Sequence, residues 1–418
     1  MNKVRGTNST TFHRSRLGPR AIQHPVFLRI LGVSLFAHLV RFIDFTLVAW
    51  LLVQKTDSSM AVGSLVFFRV IPFLIFGPFV GALLDRYPRI TLFRLTQLGM
   101  AFLSFAFAVL VYTGYASLPV IFAYSTFVGA MMMIEISSRK AYVSGVVGPA
   151  ILGSAIALDM ALLNAAWFIG SALGGVVAEL IDTFWAYIFI GIVLVTNFLL
   201  LRRLPKMLRP DLYSSSGSAL KLLRDGYFFA RRNPVIFAAL LVVGVNNFFG
   251  YPFESMAPAF ADDIYGAGPI AFGLLMSAQG LGSMITAAYI ALRGRRLRNP
   301  GLLLISASLL QGIGNIGFSY TDSLGIGFLA ITGLGLISMV FGITHATLIL
   351  LVAPLNLRGR IMGFQMLMMG LYPIGSMALG VFGDLVGLQQ AVRFFAISGI
   401  LLLLLIWFKY PQLRKPFT

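Results

Sequence analysis

The sequence predicts an all-α membrane protein in which twelve transmembrane helices form two pseudo-symmetric six-helix halves. Three observations predict it. The 418 residues are 58% hydrophobic and only 11% charged, with a mean hydropathy of +0.88, a balance no soluble domain shows. At about 20 apolar residues per crossing, that content supplies roughly twelve spans. Long apolar runs alternate with short charged segments, and a stretch of the first half recurs 205 residues later, at Ile169 and again at Ile374.

Taken in order, the apolar runs between charged punctuation place spans at about 26–53, 60–84, 95–114, 119–138, 152–180, 184–201, 234–256, 269–292, 300–319, 325–352, 361–385 and 391–408. Lys55 and Asp57 close the first, Arg86, Arg89 and Arg94 separate the second from the third, and Arg139 and Lys140 end the fourth. Asp182 parts the fifth from the sixth, and Asp262 and Asp263 follow the seventh. Four arginines between Arg293 and Arg298 close the eighth, Asp322 follows the ninth, and Arg358 and Arg360 precede the eleventh. The resulting organisation is a basic tail at 1–25, a first half at 26–201, a linker at 202–233, a second half at 234–408 and a tail at 409–418.

The net charge of +18 is distributed as an orientation signal. With the N-terminus inside, 27 of the 32 Lys and Arg fall on inward segments, while the outward loops hold Lys55 and five aspartates, Asp57, Asp182, Asp262, Asp263 and Asp322. Both termini are therefore expected in the cytoplasm. No contiguous basic face forms, which argues against a nucleic-acid partner. The tail up to Arg20 lacks an apolar core followed by a cleavage site and does not read as a signal peptide; at most it touches anionic lipid headgroups. Cysteine is absent, so disulfides, thiolate nucleophiles and cysteine metal sites are excluded.

The longest polar interruption, 202–233, lies between six spans and six spans. Around it the chain repeats itself: IGSALGGVVAEL from Ile169 corresponds to IGSMALGVFGDL from Ile374, so that Gly170, Ser171, Gly175 and Val176 match Gly375, Ser376, Gly380 and Val381, and Glu179 meets Asp384. Two similar halves around a central cavity suit a transporter, with substrate near the midplane between the repeats. Small residues such as Gly170 and Gly174, or Gly77 and Gly81, permit close helix approach where the halves rock.

The segment GALLDRYPR, residues 81–89, resembles the signature loop of the major facilitator superfamily, Gly-x-x-x-Asp-Arg-x-Gly-Arg; Gly81, Asp85, Arg86 and Arg89 match, and Pro88 replaces the usual Gly. IGSALGG resembles the family's antiporter motif Gly-Pro-x-x-Gly-Gly, with Gly170, Gly174 and Gly175 in place and Ser171 where Pro is usual. RFIDFTLVAWLL, FGLLMSAQGLGS and LNLRGRIMGF further resemble the branch containing the enterobactin exporter and macrolide-efflux proteins. The resemblance implies the major facilitator fold and secondary transport, with export as the direction. In the signature loop, an Asp and two Arg at a helix end can pair and hold one conformation shut, a gate, or merely anchor topology; exposed pairs contribute only ~0–1 kcal/mol each, but a few kcal/mol suffice to bias two conformations.

Charged side chains inside spans cost roughly 2.5–3.5 kcal/mol each and are functional candidates by default. His38, Arg41 and Asp44 recur every three residues on one face of the first span. Either Arg41 and Asp44 form an internal pair that offsets its own cost, or Asp44 alternates between proton and substrate, with Arg41 stabilising its ionised form and His38 as relay. Glu135 stands four residues before Arg139, the order of an ordinary helical pair, and Asp159 is placed near the cytoplasmic end of the fifth span. Glu254 follows Asn246 and Asn247, with Pro252 to interrupt the helix as in transporter half-helices, and is expected close to the outer end. Arg69 in the second span meets Asp44 or snorkels to the interface. His345, Gln279, Gln311, Asn315 and Gln365 line the second half of the cavity or join helices.

The 37 Phe and 17 Met favour an adaptable site for amphiphiles over a sugar or amino-acid site. A membrane enzyme acting on lipids is disfavoured, because no base stands beside a nucleophile and the histidines are dispersed. An ATP-driven pump is disfavoured because no Gly-Lys pair occurs. The reading is a proton-coupled antiporter exporting small amphipathic molecules, without a cofactor or metal, active as a monomer in a bacterial-type inner membrane; a nutrient importer is the alternative.

Overall fold

The computed structural model describes residues 25–56, 58–205, 228–293, 299–354 and 358–415, and every regular element among them is helical. The tail before Pro25 and residues 206–227 of the expected linker lie outside the described residues. Among the described residues, eleven helices are long and apolar enough to cross a membrane, and the apolar stretch Ser59–Phe73 begins a further helix, Ser59–Arg86. The protein is an all-α membrane protein with the crossings of a twelve-helix fold.

The first three spans are Pro25–Lys55, Ser59–Arg86 and Arg89–Tyr112. Helix starts leave backbone N–H groups without partners, and polar side chains satisfy them here. Ser58 accepts from the Ala61 N–H at the second span, Asp182 from Phe184 at the sixth, Thr183–Arg202, and Asn233 from Val235 and Ile236 at the seventh.

In three places the structure departs from the spans read in the sequence. The fourth and fifth, expected at 119–138 and 152–180, belong to one unbroken helical run, Leu118–Leu180. Arg139 nevertheless touches Asp159, 20 positions on, whereas a straight helix would hold them about 30 Å apart. The run therefore folds back between them, where Gly145, Gly148 and Pro149 stand. The seventh span, expected to stop at 256, continues to Ile264 through an α-helix Pro234–Val245, a wide π turn Asn246–Gly250, a tight 3-10 turn Pro252–Met256, a helical turn Ala257–Ala259 and a second wide turn Phe260–Ile264. Pro252 and Pro258 cannot donate to the helical ladder, and the turns around them widen and tighten instead of ending. The eleventh breaks at Gly370, between Arg358–Met369 and Leu371–Val386. The eighth, ninth, tenth and twelfth are Pro269–Arg293, Pro300–Phe318, Leu324–Val352 and Leu388–Lys409.

Apolar burial shows how the halves meet. One core draws on both, uniting Leu47, Leu52, Phe107 and Tyr187 with Phe260, Phe272, Leu275 and Leu379. These residues lie toward the end of the bundle where the first span finishes and the second starts, called here the far end. Toward the end bearing the termini, the described residues form separate cores: Phe27, Ile90, Phe93 and Leu201 in the first half, Ala238, Leu304, Leu348 and Ile406 in the second. Among the described residues, the halves share a core at the far end and have separate cores toward the terminal end. Outside, Phe102, Leu329 and Phe408 are at least 70% exposed, an arrangement stable only against lipid.

Candidate functional site

Buried polar side chains gather in two clusters, one per half. In the first, Asp44 accepts from Arg69 of the second span through one carboxylate oxygen and from the Tyr124 hydroxyl of the fourth span, 2.6 Å away, through the other. Glu135 also uses both oxygens, accepting from Arg41 at 2.5 Å and from Arg139 at 2.9 Å. Arg139 donates to Asp159 as well, and His38 Nε2 lies 3.8 Å from the same Asp159 oxygen. Three guanidinium groups thus match three carboxylates, and Asp44, Arg69, Glu135, Arg139 and Asp159 are all buried.

The three-residue spacing does put His38, Arg41 and Asp44 on one helix face, but the expected Arg41–Asp44 pair gives way to two pairs between spans. Arg41 reaches Glu135 and Asp44 takes Arg69, so each charge meets a partner on a neighbouring helix. Arg69 does not snorkel to lipid; its guanidinium also lies 5.4 Å from the centre of the Phe45 ring. Arg41, Asp44, Arg69 and Tyr124 line a cavity that Met100 and Leu194 complete. Tyr124 was not singled out in the sequence, because one hydroxyl on an apolar helix has no local pattern to mark it.

The second cluster is a chain of neutral groups ending on a carboxylate. Gln279 Nε2 donates to Glu254 at 2.6 Å and to Ser338 Oγ at 3.2 Å; Ser338 donates to Gln311 at 3.1 Å; and Asn315 donates at 2.7 Å to the Gly250 carbonyl in the first wide turn of the seventh span. The Gln279 Oε1 atom is buried without a hydrogen-bond partner among the described residues. Glu254 is partly exposed, and among the described residues it forms no ion pair, in contrast to Asp44, Glu135 and Asp159. The continued seventh span, Pro234–Ile264, leaves Glu254 in its far part but about ten residues from its end rather than the two expected. His345 stands apart and bonds the Phe341 carbonyl within its own helix at 2.9 Å.

In the signature loop, the surroundings of Gly81 and the side chain of Asp85 are not among those described. Arg86 is exposed, 5.8 Å from the centre of the Tyr87 ring. Arg89 donates to the Ala141 carbonyl at 3.0 Å, tying the connection between the second and third spans to the end of the fourth within the same half. Of the antiporter-like glycines, Gly170 packs on Leu39 and Phe42 and Gly174 on Thr46, all in the first span, whereas Gly175 packs on Ile270 and Gly273 in the eighth. No cluster of three His, Asp or Glu suited to a metal occurs among the described residues.

Residues 30–372 match the family profile described as Major Facilitator Superfamily. The chain belongs to the major facilitator superfamily. Like other members of the superfamily it is a multi-pass membrane transporter for small molecules. It is 22% identical to the staphyloferrin A transporter of Staphylococcus aureus (strain NCTC 8325 / PS 47) over 370 residues, 87% of this chain and 91% of that protein. Macrolide efflux protein A of Streptococcus pyogenes is 24% identical over 378 residues, 84% of this chain and 87% of that protein. Superfamily members of known structure share the fold: a bacterial homolog of the human lysosomal transporter Spinster, inward-facing and unoccupied, superimposes with a TM-score of 0.69 at 14% identity, covering 94% of this chain and 99% of that one. A D-xylose–proton symporter gives a TM-score of 0.70 at 15% identity, over 92% and 97% of the two chains.

Proposed function

We propose that this superfamily member is a proton-coupled antiporter that exports small amphipathic molecules across the inner membrane by alternating access, as a single chain with both termini in the cytoplasm. The observation that carries the coupling is the unpaired state of Glu254. Asp44, Glu135 and Asp159 each hold a guanidinium, so their charge is compensated whichever way the cavity opens. Among the described residues Glu254 holds only the Gln279 amide. An uncompensated carboxylate is costly in a dry, apolar setting and cheap beside water. It therefore takes up a proton as the cavity closes and gives it up as the cavity reopens, which links proton movement to conformation. On this reading Glu254 replaces Asp44 as the coupling carboxylate, Gln279 orients it, and the cluster of His38, Arg41, Asp44, Glu135 and Asp159 keeps the first half rigid as it rocks. The similarity to macrolide efflux protein A supports export.

The test uses inside-out vesicles with an acidic lumen and a panel containing a macrolide, staphyloferrin A, a nucleoside and xylose. The wild type concentrates at least the macrolide or the siderophore in the lumen, whereas Glu254→Gln brings it only to equilibrium. If Glu254→Gln concentrates substrate as the wild type does, the coupling carboxylate is another residue, Asp44 first. Accumulation confined to right-side-out vesicles would replace export with import.

A further inference from the structure

The acids that the repeat brings into register, Glu179 and Asp384, play no part in either polar cluster. Asp384 ends the eleventh span but reaches the start of the second: it accepts from Ser58 Oγ at 2.7 Å and lies 3.3 Å from the Met60 N–H, in the first turn of the helix Ser59–Arg86. One turn earlier, Gly380 makes the approach possible, since a Cβ there would stand 2.9 Å from the Met60 Cα. The other half places the corresponding glycine and acid, 205 residues earlier, in the same way against a helix start, although Asp384 alone of the two acids has a hydrogen bond to its helix start among the described residues. Gly175 lies against the first turn of the eighth span, where a Cβ would stand 3.1 Å from the Ile270 Cα and 3.0 Å from the Gly273 Cα. Glu179, one turn on, presents its carboxylate to the start of that span: a Cβ at Gly268, just before Pro269, would lie 2.9 Å from Glu179 Oε2.

We propose that Gly175–Glu179 and Gly380–Asp384 are two copies of one latch, in which a glycine seats the first turn of a helix from the opposite half and the acid one turn later caps it. A carboxylate at a helix start is favourable both as a hydrogen-bond acceptor and toward the helix dipole. Each acid stands between the two halves, so parting them at the far end takes both away from their helix starts at once. The latch holds the far end closed and sets how often it opens. Calling that opening outward rests on the orientation given under Proposed function.

The chain has no cysteine, so Ser376→Cys, a fully buried position packed on Gly63 in the same seam, reports opening by its labelling with an impermeant maleimide on intact cells. In that background Glu179→Ala and Asp384→Ala each raise the labelling rate roughly fivefold, the ratio a lost cap implies. Gly175→Ala and Gly380→Ala raise it too, although alanine strengthens a helix, which separates opening of the seam from loss of fold. Asp182→Ala, which removes a cap within one half, leaves the rate unchanged. Labelling of the two acid variants at the parental rate, or an equal rise with Asp182→Ala, overturns the latch. Ser323→Cys on the same cells reads the orientation separately; if it labels only in inverted vesicles, the orientation has failed, and the same comparison run there still tests the latch.

Discussion

Taking one partner from a buried ion pair removes more stability than the pair contributes, because the group left behind keeps its charge without compensation. Arg69→Ala strands the Asp44 carboxylate, which is 4% exposed, without a guanidinium and with the Tyr124 hydroxyl as its remaining hydrogen bond among the described residues. The expected loss is about 3–5 kcal/mol, read as a lower thermal midpoint of the purified protein and a lower yield in membranes. Arg69→Met combined with Asp44→Leu recovers most of it. Should Arg69→Ala melt with the parent, the Asp44–Arg69 pair does not hold the fold, and the first cluster regains its claim to a transport role. The sequence shows at this scale that His38, Arg41 and Asp44 share a face, because the helical period is local. It does not show that Arg41 passes Asp44 by for a residue 94 positions away.

Single elements matter most in the seventh span, where departures from regular helix free backbone groups that something else has to satisfy. Asn315 of the ninth span donates to the Gly250 carbonyl and so supports the wide turn four residues ahead of Glu254. Asn315→Ala should cost about 1–3 kcal/mol, the penalty for a buried acceptor left without a donor, and should reduce gradient-driven transport more than substrate binding. Thermal unfolding in detergent and transport in vesicles measure the two effects; unchanged stability would mean that water replaces the amide. Pro252 marks the interruption in the sequence. The continuation to Ile264 is not marked, because Asp262 and Asp263 resemble loop residues until the helix is seen to run through them.

Over the whole molecule, the charge bias makes a topological prediction. Because 27 of the 32 basic residues fall on one side, Ser214→Cys should react with an impermeant thiol reagent only in inverted vesicles, and Ser323→Cys, exposed at the far end, on intact cells. The reverse pattern would invert the orientation. In that orientation the far end, where the described residues of the two halves share a core, faces away from the cytoplasm.

Twelve crossings, a repeat at 205 residues and membership of the superfamily were all readable in the sequence. Each depends on a quantity that accumulates along the chain: the length of an apolar run against the thickness of a bilayer, the side on which charge collects, the offset at which a motif returns. Which side chains meet was decided by the tertiary structure alone. The pairing of Arg69 with Asp44, the isolation of Glu254 from any described cation, and the contact of Asp384 with Ser58 across 326 residues depend on which helix packs against which. A helix's periodicity fixes the face a residue occupies, but packing between helices selects the neighbour that face will touch.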